Sequence, residues 1–135
     1  MKLQEKAYIA GIIDGEGTVT LTRKHKNETP TPVISIANNS LELLKWLKVK
    51  LCTGTITKRT KRKAHHNQAF VYEIRDDKAL KFLAEIKDLL IIKKPHAKLL
   101  IDCYKKVTPR NGKYTKEMMA KKMKLVAEIR RLNKR

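Results

Sequence analysis

The sequence predicts an α+β fold in which helices cover one face of an antiparallel sheet. Two pairs of β-branched runs alternate with period two, and each pair follows a stretch whose apolar residues recur at helical spacing. The 135 residues, 41% of them apolar, are the size of one domain spanning 1–135 that can bury a core.

The elements follow in order. Leu3, Ala7, Tyr8, Ile9, Ile12 and Ile13 recur at helical spacing, and Gly15 and Gly17 are expected to end this helix near Asp14. Thr18-Val19-Thr20-Leu21-Thr22 and Pro32-Val33-Ile34-Ser35-Ile36-Ala37 read as a hairpin with a long basic loop. Ser40 suits the N-cap of a second helix, with Leu44, Leu47 and Leu51 on one face, Trp46 flanking and Gly54 closing it. Thr55 to Lys61 and Gln68 to Arg75 form a second strand pair, joined through Arg62, Lys63, Ala64, His65, His66 and Asn67. Asp76 and Asp77 put acids at the positive end of a third helix whose buried stripe is Leu80, Leu83, Ile86 and Leu90. Pro95 fits the first turn of a fourth helix, which buries Leu100, Ile101 and Tyr104 and stops at Pro109. Thr115 caps the last helix, with Met119, Met123, Val126 and Ile129 inside and Lys116, Lys121, Lys122, Lys124, Arg130 and Arg131 mostly outside.

Lysine and arginine number 32 against 13 acids, a formal net charge of +19. Such self-repulsion costs stability unless a polyanion lies on the surface, so nucleic acid is the expected partner. A membrane surface suits less well, because the basic residues spread from Lys2 to Arg135 instead of lining one amphipathic helix. The longest apolar run, Leu89 to Ile92, is far too short to cross a bilayer. Cys52 and Cys103 form no CxxC pair and no signal-like segment precedes them, so free thiols in a reducing, intracellular compartment are expected. His65-His66-Asn67 resembles an HNH fragment, but without further histidines at ligand spacing it reads as a basic turn.

Acids are scarce, so Asp14 and Glu16 stand out within Ile9-Ala10-Gly11-Ile12-Ile13-Asp14-Gly15-Glu16-Gly17. Ala7, Gly11 and Gly15 recur every four residues, leaving one side of the helix without bulk, where a second helix can approach at backbone distance. If that helix comes from an identical subunit, a two-fold axis brings two Glu16 side chains together. Paired carboxylates beside backbone carbonyls at the negative ends of two helix dipoles make an oxygen-rich niche suited to Mg²⁺. The plain alternative is a helix C-cap with solvated acids, since glycine-flanked acids are common turn residues.

The segment resembles, position for position, the motif that names the LAGLIDADG homing endonucleases, with Ile9 to Gly17 filling its nine places. The αββαββα order read above is similar to the core of that family, and a single motif in a chain of this length resembles its homodimeric branch. The resemblance implies a saddle-shaped antiparallel sheet in the major groove, additional C-terminal helices, motif helices forming the dimer core, and cleavage across the minor groove. It implies that Glu16, in place of the commoner Asp, ligates Mg²⁺ (with Mn²⁺ as a substitute) beside the Gly15 carbonyl. Lys93 resembles the basic residue bordering the family's metal centre, with Lys94 a near competitor, and Asn38 resembles a position often held by a water-positioning glutamine. Some relatives carry an arginine one turn later, where this chain has Glu42.

Strand alternation assigns a DNA-reading face. With Val19 and Leu21 inside, Thr18, Thr20, Thr22 and Lys24 point outward, as do Thr57, Arg59 and Lys61 on the second hairpin. Gln68, Phe70 and Tyr72 complete the expected row. Polar side chains in such rows can read base edges, while Lys and Arg mainly take phosphates. The expectation is a homodimeric, Mg²⁺-dependent, sequence-specific double-strand DNA endonuclease acting on a long pseudo-palindromic site, intron-encoded, with no membrane partner. The rival is a non-cleaving RNA maturase or DNA-binding regulator on the same scaffold.

Overall fold

The computed structural model describes residues 1–59 and 67–134. Lys61 and the turn residues 62–66 of the second hairpin, including His65 and His66, lie outside the described residues.

The chain runs α1 (Leu3–Glu16), β1 (Gly17–Thr22), β2 (Thr31–Asn38), α2 (Leu41–Leu51), β3 (Thr55–Lys58), β4 (Phe70–Arg75), α3 (Asp76–Ile86), α4 (Lys94–Cys103), a 3₁₀ turn (Lys105–Val107) and α5 (Lys116–Asn133). All described strand pairings are antiparallel, in the order β1-β2-β4-β3. The expected α+β architecture with a four-stranded antiparallel sheet is therefore present. The first helix passes Asp14 and continues to Glu16, because neither Gly15 nor Gly17 leaves the negative-φ region. β4 starts at Phe70, two residues later than the alternation implied, and β3 runs Thr55–Lys58, with Thr60 and Lys61 of the expected strand outside the described residues.

Register sets which side chains share a face. Val19, Ile34 and Ile74 form one transverse row, and Ile36, Tyr72 and Ile56 form the next. Helices pack on this face: Ile9, Ala10 and Ile13 of α1, Leu44 and Leu47 of α2, and Leu80, Leu83 and Ile86 of α3 join the strand residues in one apolar cluster. Burial of such side chains contributes about 1.5–3 kcal/mol each. Leu90, expected on the α3 stripe, lies beyond the helix end yet is 1% exposed and belongs to the same cluster.

Local caps follow the sequence. Ser40 Oγ accepts from Leu43 N at 3.2 Å and Thr115 Oγ1 from Met118 N at 3.1 Å, each satisfying an orphan donor of a first helical turn. After α2, Cys52 adopts the left-handed region with φ 56°. Gly54 has φ 100° and packs so closely on the Tyr72 ring that a Cβ would come within 2.5 Å of it. Cys52 and Cys103 are both free thiols. Among the described residues no helix is long and apolar enough to cross a membrane.

The C-terminal helix departs from its expected pattern. Leu125, Val126 and Ile129 are buried, but Met123 is 40% exposed and Lys122 is completely buried. The core-facing stripe is rotated by about one residue relative to the reading from Met123, because α5 packs along β1 and α4 together. Its last turn covers the free edge of β1: Asn133 Nδ2 donates to Val19 O at 3.2 Å.

His96 on α4 is buried with no hydrogen-bond partner for either ring nitrogen among the described residues. Burial first, and then the charge of Lys93, hold its pKa below the ordinary 6.5, opposed only in part by the Leu132 carbonyl, Asn133 and Asp14. The unfolded chain therefore takes up this proton first, so stability present above pH 6.5 falls as pH drops below that value toward the folded pKa. Thermal unfolding should show a larger loss for the parent than for His96→Leu when pH is lowered from about 7.5 to about 5.5. Equal losses would mean that the ring titrates alike in both states.

Candidate metal centre and nucleic-acid interface

Between Glu16 and Gly17 the backbone passes directly from α1 into β1. A Cβ at residue 17 would come within 2.8 Å of the Ile13 Cα and carbonyl oxygen, so only glycine permits this junction. Glu16 thus stands at the negative end of the α1 dipole and at the start of an edge strand, with its side chain exposed. No basic residue occupies the last turn of α1, although the chain carries 32 lysines and arginines.

Asn38, at the end of β2, donates from Nδ2 to Glu16 Oε2 at 2.7 Å. Its Oδ1 accepts from Ser40 N at 2.7 Å, which fixes the amide orientation and turns the NH₂ toward the carboxylate. One Glu16 oxygen is therefore held and the other has no protein partner among the described residues. Asp14 is used differently. Its two oxygens accept from Ile91 N at 2.8 Å and Lys93 N at 2.9 Å, tying the loop after α3 to the end of α1. Lys93, half-buried, is the N-cap of α4. Sequence reasoning grouped the two acids; the structure separates a loop-holding Asp14 from an available Glu16.

Ala7, Gly11 and Gly15 are exposed, and a Cβ added at Gly11 or Gly15 would meet nothing within 4 Å. The stripe opposite the buried Ile9, Ala10 and Ile13 is thus open and flat. Apolar side chains stand exposed beside it, Tyr8 at 56% on α1 and Ile91 at 83% and Ile92 at 60% on the loop held by Asp14. Tyr8 meets Trp46 edge-on with ring centroids 5.4 Å apart. Tyr8 belongs to the helically spaced apolar set of α1, whereas Ile91 and Ile92 lie just past Leu90, the last residue of the expected α3 stripe.

The second face of the sheet carries the alternate side chains, most of them polar; Val33 on it is 2% exposed, and Thr22 Oγ1 and one Arg75 guanidinium nitrogen are also buried. Thr18, Ser35, Glu73 and Thr55 form one row across it, Thr20, Val33 and Arg75 another, and Thr57, Val71 and Ala37 a third. Thr22 sits opposite Thr31 on this face, and Lys24 and Arg59 are exposed at the strand ends. Two expected members are elsewhere. Tyr72 is 0% exposed, with its hydroxyl donating to Thr53 O at 2.7 Å, and burial pushes its pKa well above the usual range. Phe70, two residues earlier on the same strand, is packed against the core cluster. The one-residue error follows from the apolar run Phe70-Val71-Tyr72; the charges at Glu73 and Arg75 mark the outer positions, and their side chains bond at 3.3 Å. Gln68 lies just before β4 and donates from Nε2 to Arg59 O at 2.6 Å, bracing the hairpin.

A family model described as a LAGLIDADG-like domain matches residues 3–87, well over half of the chain. No curated protein matches it. Among solved structures, the homing endonuclease I-CvuI in complex with its target is similar at TM-score 0.78 and 14% identity, over 98% of this chain and 83% of that one. The archaeal intron-encoded homing endonuclease I-Vdi141I complexed with DNA is similar at TM-score 0.67 and 22% identity, over 98% and 86%. I-SmaMI bound to uncleaved DNA in the presence of calcium ions gives TM-score 0.71 and 25% identity, over 96% of this chain but 46% of that one. With a motif helix running straight into the sheet, the fold of the homing endonucleases and a family match over both hairpins, the chain belongs to the LAGLIDADG family.

Proposed function

We propose that the protein is a homodimeric, sequence-specific double-strand DNA endonuclease that uses Mg²⁺. The observation that carries this is Glu16: a carboxylate fixed on one oxygen by Asn38, open on the other, at a helix end of negative potential with no lysine or arginine in that turn. A carboxylate there is unfavourable unless a cation is normally present.

The donor chemistry fits a hard cation in part. Glu16 and the Gly15 carbonyl would hold it, but among the described residues no group of three His, Cys, Asp or Glu side chains comes together. Six oxygens therefore require a second subunit and the DNA phosphates themselves. A bound Mg²⁺ there supplies Lewis acidity to the scissile phosphate and a more acidic water. Asn38 keeps the Glu16 carboxylate in one orientation, so its ordering cost is met before DNA arrives. Asp14, by holding the backbone of Lys93, sets the start of α4, from which the Lys93 ammonium can offset charge developing on the phosphate.

The open Ala7, Gly11 and Gly15 stripe is the proposed subunit contact, flanked by Tyr8, Ile91 and Ile92. Such a contact would place two Glu16 side chains near the axis and continue the threonine-bearing sheet face across both subunits. Coverage supports a paired unit, since I-SmaMI is matched over under half of its length. Thr18, Thr20, Thr22, Thr57 and Arg59 on that face, extended by Ser35 and Arg75, are the proposed base-contacting set, with Lys24 and the basic hairpin ends on phosphates.

Glu16→Gln should abolish Mg²⁺-dependent cleavage of a plasmid carrying the insertion site while leaving binding in Ca²⁺ equal to or stronger than the parent's, because one anion leaves a phosphate-binding surface. Cutting at the parent's rate would place the metal elsewhere, and a parent that binds but cuts no candidate site would favour the maturase or regulator reading. Gly11→Leu should convert a dimer to a monomer in sedimentation at low micromolar concentration and high salt. A monomeric parent would remove the proposed interface.

A further inference from the structure

Sequence periodicity places Lys122 among solvent-facing lysines, yet its side chain is 0% exposed. Its ammonium donates to Tyr114 Oη at 2.6 Å, Thr108 Oγ1 at 3.2 Å and Thr29 Oγ1 at 3.4 Å. A lysine ammonium has three protons, and these three hydroxyls accept all of them. The charge also lies 4.6 Å from the Tyr104 ring centroid and 5.1 Å from that of Tyr114, within cation–π range. Among the described residues no carboxylate pairs with it. Burying a cation without a counter-charge is costly, and neutral hydroxyls offset that cost only where they are held in place.

The hydroxyls come from three separate segments. Thr29 ends the loop between β1 and β2, Thr108 follows the 3₁₀ turn, and Tyr114 precedes α5. Thr108 Oγ1 spends its own proton on Tyr104 O at 2.8 Å, and Tyr114 Oη and Thr29 Oγ1 lie 3.2 Å apart in a further hydrogen bond. Burial pushes the Tyr114 phenol up, but its hydrogen bonds with Lys122 and Thr29 outweigh that and bring it below its ordinary value. The phenol is thus an acceptor toward Lys122.

We propose that Lys122 is a positioning residue that locks the loop between β1 and β2 onto the C-terminal helix and so sets recognition at the outer flanks of the DNA site. The loop carries Arg23, Lys24, His25 and Lys26. It follows a strand that starts beside Glu16 and runs for six residues, which at about 3.3 Å per residue carries it about 20 Å from the proposed scissile centre. At that distance it faces base pairs well outside the cut. This assignment rests on the endonuclease reading above, whereas the lock itself does not.

Two measurements separate them. In hydrogen exchange of the free protein, Lys122→Met, which keeps the side-chain length without charge or donors, should speed exchange of amides in residues 23–30 by about tenfold or more and leave α1 and β2 unchanged. Unchanged loop exchange overturns the lock. For the DNA arm, a duplex selected by the parent from a random library is changed one base pair at a time. Lys122→Met should lose about tenfold discrimination at each outer pair and none at central pairs. Loss spread evenly over all positions, or no loss, overturns the flank assignment. A parent that selects no duplex overturns the endonuclease reading and the flank assignment together, while loop exchange still decides the lock. If Lys122→Met does not fold, Tyr114→Phe, which keeps the ring and removes one acceptor, carries both arms with the same criteria.

Discussion

The close approach of Gly17 to the Ile13 backbone, within a distance no side chain allows, makes α1 and β1 a single rigid corner. Because the corner has no loop, the face that β1 buries is fixed by the face that α1 buries. Val19 and Leu21 join Ile9, Ala10 and Ile13 in the core, which sends Thr18, Thr20 and Thr22 to the opposite face. The same corner puts Glu16 across the sheet end from Asn38, since Gly17 pairs with Ile36 and Asn38 lies two residues further along β2. The Glu16 carboxylate, the Asn38 amide that holds it and the outward face of β1 are therefore consequences of one junction.

The two acids of the motif illustrate how geometry divides residues that sequence cannot. Both lie near the negative end of α1, where a carboxylate needs a donor or a cation. Asp14 finds two backbone N–H groups in the loop leading into α4, and among the described residues Glu16 finds one amide proton, from Asn38. The free Glu16 oxygen is the position assigned to the proposed cation, and the Asp14 contacts bring the Lys93 loop to the same end of the helix. α4 lies outside the family match over residues 3–87, so this connection belongs to the chain's C-terminal half and is read from its structure.

Much of this was legible because strong periodicities coincide with caps and turns: the order of helices and strands, the Ser40 and Thr115 caps, the small-residue stripe and the outward threonines of β1 all follow from residue type and spacing. Three features did not. The run Phe70-Val71-Tyr72 is apolar on both sides of the strand, so alternation gives no face until Glu73 and Arg75 are weighed. In α5 the helix meets β1 on one side and α4 on the other, and this combined contact selects a stripe through Leu125 and Val126 instead of Met123. Lys122 could not be placed inside because its partners, Thr29, Thr108 and Tyr114, come from distant segments and no periodicity links them.

The central claim is that two Glu16 carboxylates from two chains form one cleavage centre, and subunit mixing tests it most directly. Parent and Glu16→Gln chains, exchanged to equilibrium at equal amounts and fixed total protein, should cut both strands at about a quarter of the parent rate, since only dimers with both carboxylates are competent. Mixed dimers should at most nick one strand. A fall to only about half, proportional to the parent fraction, would contradict a shared centre and make each chain's carboxylate sufficient by itself.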